Sequence, residues 1–354
     1  MLTSPQSFPP FLRYLMTFRV FCRCVCLALA LSAAQARAYD PPTPAQVAAA
    51  QKKFAEELAR DTDVSAADVL ATLAKARYQQ SIIDAISRPA ESKTWREYRP
   101  IFLTQARIDG GVAFYRANAA LFDRVSREFG VPAPILIAII GVETNYGRTP
   151  TRYHVLDALT TLGFYYPPRA DFFRGELRQL FLLHGANFPY PIESLMGSYA
   201  GAMGWGQFMP SSIAKFARDE DGDGKIDLWN SLPDIVASIA NYFVGNGWQS
   251  GGPVAVRAKV SANARAVTPE NLKPVYSLQQ LAEWGYVPAT KVDVGSDTLA
   301  TLVKLEGEDG PEVWIAFQNF YAISRYNRSP LYSLAVYQLS EEIAAQVGDK
   351  SAAK

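Results

Sequence analysis

Only two histidines and three cysteines occur in 354 residues. That leaves too few soft or imidazole ligands for a zinc or iron centre, and no disulfide framework. An excess of charge is lacking too. Lys and Arg number 35 against 34 Asp and Glu, for a formal net charge of +1. This balance argues against a nucleic-acid protein, which carries a clearly basic face. No repeat of roughly 20–50 residues is visible, which excludes solenoids and propellers. Length alone, at ~150 residues per domain, predicts about two domains or one large domain with an insertion.

The three cysteines are Cys22, Cys24 and Cys26, all within one apolar N-terminal stretch. Its core, from Val25 to Ala34, is too short to span a bilayer. Arg19 and Arg23 precede it and Ala36-Arg37-Ala38 follows, so residues 1–38 read as a secretory signal peptide cleaved after Ala38. A buried N-terminal helix is the competing reading. No small-residue pair precedes Cys26, which argues against a lipid anchor. Removal of this segment leaves 31 basic and 34 acidic residues and no thiol. The expected location is the periplasm.

What the chain does have is a succession of helix signals. Ala45 to Arg60 places Val47, Phe54 and Leu58 near helical period. Ser65-Ala-Ala-Asp68 resembles a capping box and starts a second helix. A third is expected from Gly110 to Phe129. The texture changes after Trp248: residues 253–260 alternate apolar and polar as a strand does, and 298–305 and 313–317 are further strand candidates. Aromatic-rich helix returns from Asn319 to Gln346. The expected divisions are 39–131 (an N-terminal α domain), 132–250 (a helical core), 251–317 (a small β insertion) and 318–354 (a helical segment returning to the core).

Ile135-Leu-Ile-Ala-Ile-Ile140 is apolar on every face, so its helix must be buried all round. It runs into Gly141-Val-Glu143-Thr-Asn-Tyr146-Gly147, where Gly147 is a natural helix terminator. Desolvation and the negative end of the helix dipole both push the pKa of a glutamate here upward. A general acid working near neutral pH needs that shift. A glutamate capped by local donors, or paired with Arg148, is the equal alternative. The second cluster, Gly197 to Ser212, has Ser198, Trp205 and Gln207 among its glycines and suits sugar contacts, or is simply a tight loop.

These two motifs, with Asn319-Phe-Tyr-Ala-Ile-Ser-Arg-Tyr-Asn327, resemble the lytic murein transglycosylase B family over roughly residues 45–345. The resemblance implies a mainly α member of the α+β class: a lysozyme-like helical core, a surrounding α domain and a small inserted β domain. It implies cleavage of the β-1,4 bond between N-acetylmuramic acid and N-acetylglucosamine in peptidoglycan glycan strands, leaving 1,6-anhydro ends. Glu143 would be the only catalytic acid and base, with no organic cofactor. Ser198 and Gln207 match cleft residues, and Tyr326, Asn327 and Tyr332 an aromatic wall, for which core packing is the alternative. Tyr146 and Trp205 fall in the motifs expected to line the groove. Arg169 matches one of two adjacent family arginines; the other is Pro168 here. A lysozyme-type muramidase and a non-catalytic peptidoglycan-binding scaffold are the competing readings. Partner synthases or hydrolases are not legible.

Asp219-Glu-Asp221-Gly-Asp223-Gly-Lys225-Ile-Asp227 fits the first nine positions of an EF-hand loop. Its hard oxygen ligands at this spacing favour calcium, in a structural role. Position twelve is Asn230 rather than Glu. The resemblance implies a longer loop, 219–234, closed by Asp234. An acidic turn without metal is the alternative.

Overall fold

The protein is described by a computed structural model over residues 40–88, 93–183 and 187–348. The expected signal peptide, its cysteines and its cleavage site lie outside the described residues. Helix α1 (Pro44–Asp61) begins at Thr43, whose hydroxyl accepts from the Gln46 amide while Gln46 Oε1 accepts from the Thr43 amide. This reciprocal box satisfies two otherwise unpaired donors. Val47, Phe54 and Leu58 are buried on it, as their spacing predicts. Helix α2 (Ala66–Leu73) starts where Ser65 Oγ accepts from the Asp68 amide at 3.1 Å.

Helices α3 (Gln80–Ile86) and α4 (Trp95–Phe102) were not anticipated. The helix expected from Gly110 to Phe129 is two helices, α5 (Gln105–Ala117) and α6 (Ala119–Phe129). Asn118, with φ −134°, interrupts them, and its Nδ2 donates to the Phe114 carbonyl at 2.9 Å. The amide side chain thus offers the backbone a partner outside the helical ladder. Thr104 caps α5 by accepting from the Arg107 amide, so this helix starts earlier than the apolar pattern implied.

Helix α7 (Ala133–Thr144) passes through the centre, with Ile135 to Ile140 wholly buried. It packs against α5, α6 and, later in the chain, α14 (Pro330–Val347). Strand β1 (Tyr153–His154) pairs antiparallel with β2 (Met196–Gly197), across helices α8 (Val155–Tyr165) and α9 (Ala170–Leu183). Helices α10 (Pro210–Phe216) and α11 (Leu232–Gly245) complete this part.

The chain then enters an antiparallel sheet. Its strands are β3 (Ala255–Val260), β4 (Tyr276–Ser277), β5 (Tyr286–Pro288), β6 (Leu299–Gly307) and β7 (Gly310–Ala316), in the order β4-β6-β7-β3-β5. Pairing of Gly307 with Gly310 closes the β6–β7 hairpin around two residues. Helix α12 (Leu278–Glu283) lies between β4 and β5, and Leu281, Tyr286, Leu302, Ile315 and Phe317 form a separate small core.

The return to helix after the sheet is broken. Helix α13 (Gln318–Ser324) ends before α14, although one helical stretch was expected. Pro330 opens α14 and holds Ser329 extended, at φ −72° and ψ 126°. The intervening residues 325–329 are thereby excluded from both helices. The expected divisions after residues 131, 250 and 317 fall between elements, while contacts from Thr43 onward join all of them in one unit. Among the described residues no single helix is long and apolar enough to cross a membrane, although α6 and α7 pass that test together as a pair bent by 112°.

Candidate active site

Glu143 sits in the last turn of α7, and the way that helix stops determines where its carboxyl points. Asn145, Tyr146 and Gly147 are consecutive left-handed residues, with φ of 50°, 61° and 77°. Asn145, not Gly147, is therefore the capping residue, its amide donating to the Gly141 carbonyl at 3.1 Å. Two non-glycine residues with positive φ mark a strained turn held by its surroundings.

Those surroundings are the aromatic residues read as groove lining. The Tyr146 ring lies against Gly110 and Gly141, where an added Cβ would come within 3.0 and 2.8 Å of it. Its hydroxyl donates to the Arg107 carbonyl at 2.7 Å. Trp205 packs on Gly147, where a Cβ would lie 2.4 Å from the indole. Thr144 Oγ1 lies 3.2 Å from the Trp205 carbonyl and accepts from the Gly147 amide at 3.1 Å. Tyr146 and Trp205 thus brace the turn from within. Glycines on α5 and α7 make room for the tyrosine ring, and an internal carbonyl takes its hydroxyl.

On the open side, Glu143 lines a cavity of about 980 Å³. Ser198, Gln207, Tyr326, Asn327 and Arg169 line the same cavity, so five of the eight expected substrate contacts converge there. Ser198 Oγ accepts from the Ala200 and Ala202 amides, which tightens its loop and leaves its hydroxyl proton available. Gly204, at φ 68°, lies so close to the Leu228 carbonyl that a Cβ would come within 2.6 Å of it. Gln207 is itself left-handed, at φ 49°, and Nε2 donates to the Gly204 carbonyl. Arg169 lies 4.6 and 5.1 Å from the Phe172 and Phe173 ring centres.

Tyr332 lies outside the cavity wall. It is buried, and its hydroxyl donates to Glu143 Oε1 at 2.5 Å. Loss of solvent pushes the Glu143 carboxyl up to about 7, while the Tyr332 hydrogen bond pulls it the other way. No ion pair reaches Glu143 among the described residues, so the alternative pairing with Arg148 is not adopted. Burial raises the Tyr326 and Tyr332 phenols well above their ordinary range, so both are neutral donors. The Tyr326 ring is 4.3 Å from that of Tyr242, and its buried hydroxyl has no partner. Such an orphaned buried donor calls for a partner that these contacts do not supply.

Sequence reasoning missed Glu176, the other carboxylate on the cavity wall. It accepts from the Ser211 amide at 2.9 Å and from the Ser211 hydroxyl at 2.7 Å. Its signal was legible: it shares the buried face of α9 with Phe173, Leu177 and Leu180. Arg325 and Arg328, also on the wall, gave no such signal.

In the acidic loop, one oxygen from each of Asp219, Asp221 and Asp223 lies within 4.8 Å of the others. Asp219 accepts from the Gly222 and Gly224 amides, Asp221 from the Asp223 amide, and Asp223 from that of Lys225. None of the three has a basic side-chain partner among the described residues; Arg124 pairs with Glu220 instead. Hard oxygen donors with uncompensated charge fit calcium. Asp234 does not join them. It is buried and accepts from the Glu220 amide at 2.8 Å and the Asp227 amide at 2.9 Å. It latches the loop's backbone to the start of α11 and lies outside the cluster of oxygens that the other three form. Asn230, at the twelfth position, donates to Tyr190 and Asp227.

Comparison with known proteins gives a consistent set. Residues 46–341 match the family described as Transglycosylase SLT domain. Over 250 residues the chain is 42% identical to membrane-bound lytic murein transglycosylase B of Escherichia coli K12, covering 71% of this chain and 67% of that protein. The soluble lytic transglycosylase SltB1 from Pseudomonas aeruginosa superposes with a TM-score of 0.78 at 45% identity, over 84% of this chain and 99% of that one. The Escherichia coli lytic transglycosylase Slt35, solved in complex with calcium, gives 0.75 at 36% identity, over 84% and 93%.

Proposed function

Because this chain belongs to the Transglycosylase SLT domain family, we propose that Glu143 is the single acid and base of its active site. The protein is a lytic murein transglycosylase acting on peptidoglycan, with a lysozyme-like helical fold. The family's product carries a 1,6-anhydro end, made with one glutamate.

The observation that carries the assignment is a carboxyl held up to about 7, facing the cavity with Tyr332 behind it. Near neutral pH a large fraction of it is protonated. It gives its proton to the glycosidic oxygen as the bond to the muramyl C1 breaks. The resulting carboxylate then takes the proton of the muramyl 6-hydroxyl as that oxygen bonds to C1. No water is consumed, and Glu143 regains its starting state. Two-carboxylate glycosidases set a second Asp or Glu beside the sugar; Glu176, the other carboxylate on this wall, serves as the acceptor that holds Ser211. The substrate's own N-acetyl group is the remaining stabiliser of C1. Ser198, Gln207, Asn327 and Tyr326 supply donors and acceptors to the saccharide, and Arg169 a charge at the rim.

Muropeptide products analysed by mass spectrometry test this reading. Transglycosylation gives ends one water lighter than hydrolysis, and Glu143→Gln should release neither. Hydrolysed ends from the wild type would favour the muramidase reading. Full lysis by the variant would overturn the site.

Asp219, Asp221 and Asp223, with the Lys225 carbonyl, are the proposed calcium ligands. The metal would neutralise three adjoining carboxylates and stiffen the connection between α10 and α11. Asp234 is not retained as a ligand. The composition of residues 1–38 supports export to the periplasm, where the substrate lies. N-terminal sequencing of the secreted protein, expected to begin at Tyr39, tests that.

A further inference from the structure

The cavity that contains Glu143 is bounded on one side by arginines that the chemistry above does not use. Arg328 lines three adjoining cavities: the catalytic one, one of about 360 Å³ against β6, and one of about 470 Å³ beside Glu270 and Lys273. Arg325 lines the first and third. Both belong to the connection between α13 and α14 that Pro330 forces out of helix. Lys304 faces the second cavity and Lys273 the third.

Their charges are not spent internally. Among the described residues, Arg325, Arg328 and Lys273 form no ion pair. Arg325 rests 5.5 Å from the Tyr321 ring centre and Lys304 5.6 Å from that of Tyr286. These contacts hold the cations without neutralising them. Glu270 is the acid present in the third cavity. A basic path therefore leads from the catalytic cavity onto the β insertion.

The sugars of the glycan carry no charge, and the acidic groups of the substrate are the carboxylates of its peptide stems. Guanidinium forks suit carboxylates by geometry as well as charge. We propose that Arg325 and Arg328, with Lys273 beyond them, bind the carboxylates of the peptide stem borne by the muramyl residue in the cleft. The stem leaves the cavity across the α13–α14 connection and over the β insertion, not past Arg169 alone. This deepens the transglycosylase reading and rests on it.

The test compares kcat/KM on purified glycan strands with intact stems and on strands whose stems an amidase has removed. In the Arg325→Gln, Arg328→Gln double variant, the ratio of the two should fall about tenfold, mainly through KM. Arg328→Lys should keep part of the preference, and added salt should shrink it in the wild type. An equal loss on both substrates would make the arginines glycan or structural contacts and overturn the proposal. So would a preference lost in Arg169→Gln and kept in the double variant. Wild-type enzyme yielding anhydro ends from neither substrate would count against the transglycosylase reading, not the arginines.

Discussion

Tyr332 donates its hydroxyl to Glu143 Oε1 at 2.5 Å, joining residues 189 positions apart in the sequence. The bond couples the last long helix to the end of the central one, and it favours the ionised carboxylate. Because burial acts in the opposite sense, the pKa of the glutamate is the outcome of a contest between the two.

Tyr332→Phe removes the weaker contestant. The Glu143 pKa should rise above about 7, moving the alkaline limb of the kcat/KM profile to higher pH. At the same time kcat should fall about tenfold, since the carboxyl loses its positioning contact. A pH profile of anhydro-end formation measures both. An unmoved limb would mean the hydrogen bond does not tune the acid.

Glu143→Gln should lower kcat by at least about a hundredfold and also alter stability with a definite sign. The folded-state pKa near 7 exceeds the ordinary value of 4.5, so the native protein holds this proton more tightly than the unfolded chain. Wild-type stability from this group is complete below about 4.5 and is lost as pH rises through 7. The variant should therefore be the more stable protein above pH 7, by on the order of 2 kcal/mol after allowing for cavity water. Below pH 4.5 the difference should vanish. Denaturant titrations across that range provide the check.

Gly147→Ala meets both a left-handed backbone and the Trp205 indole, 2.4 Å from the new Cβ. A cost of about 3 kcal/mol or more is expected. Gly222→Ala has a similar φ, 75°, but nothing within 4 Å of its Cβ, and should cost about 1 kcal/mol. Equal thermal shifts in the two variants would remove the argument that Trp205 is a brace.

Calcium should raise the melting temperature of the wild type, and Asp219→Asn should abolish the increment. Asp234→Asn should instead destabilise the protein by roughly 2–3 kcal/mol with or without the metal, since it disturbs a buried acceptor of two amides. Calorimetric titration separates the cases. A calcium response lost in Asp234→Asn but kept in Asp219→Asn would reverse the assignments.

Much of this was legible in the chain. The wholly apolar run 135–140 announced a buried helix, and a glutamate at its end announced a raised pKa. The alternation at 253–260 announced the sheet. What escaped depended on partners distant in sequence. Tyr146 and Trp205 look like sugar platforms until the glycines beneath them are placed. Asp234 looks like a ligand until the fold sets it apart from the three clustered carboxylates. The interruption at Asn118 rests on a single side-chain-to-carbonyl bond, too local for periodicity to register. Arg325 and Arg328 acquire meaning only when the β insertion is folded beside them.

The left-handed turn after Glu143 has a consequence for how such proteins are recognised. Of Glu143-Thr-Asn-Tyr-Gly147, four residues maintain a shape and one carries the proposed reaction. A homologue that had lost activity through residue 143 alone would keep the other four, because its stability would still demand them. In such a motif the last four letters report a turn, whereas the first alone reports the chemistry proposed for it.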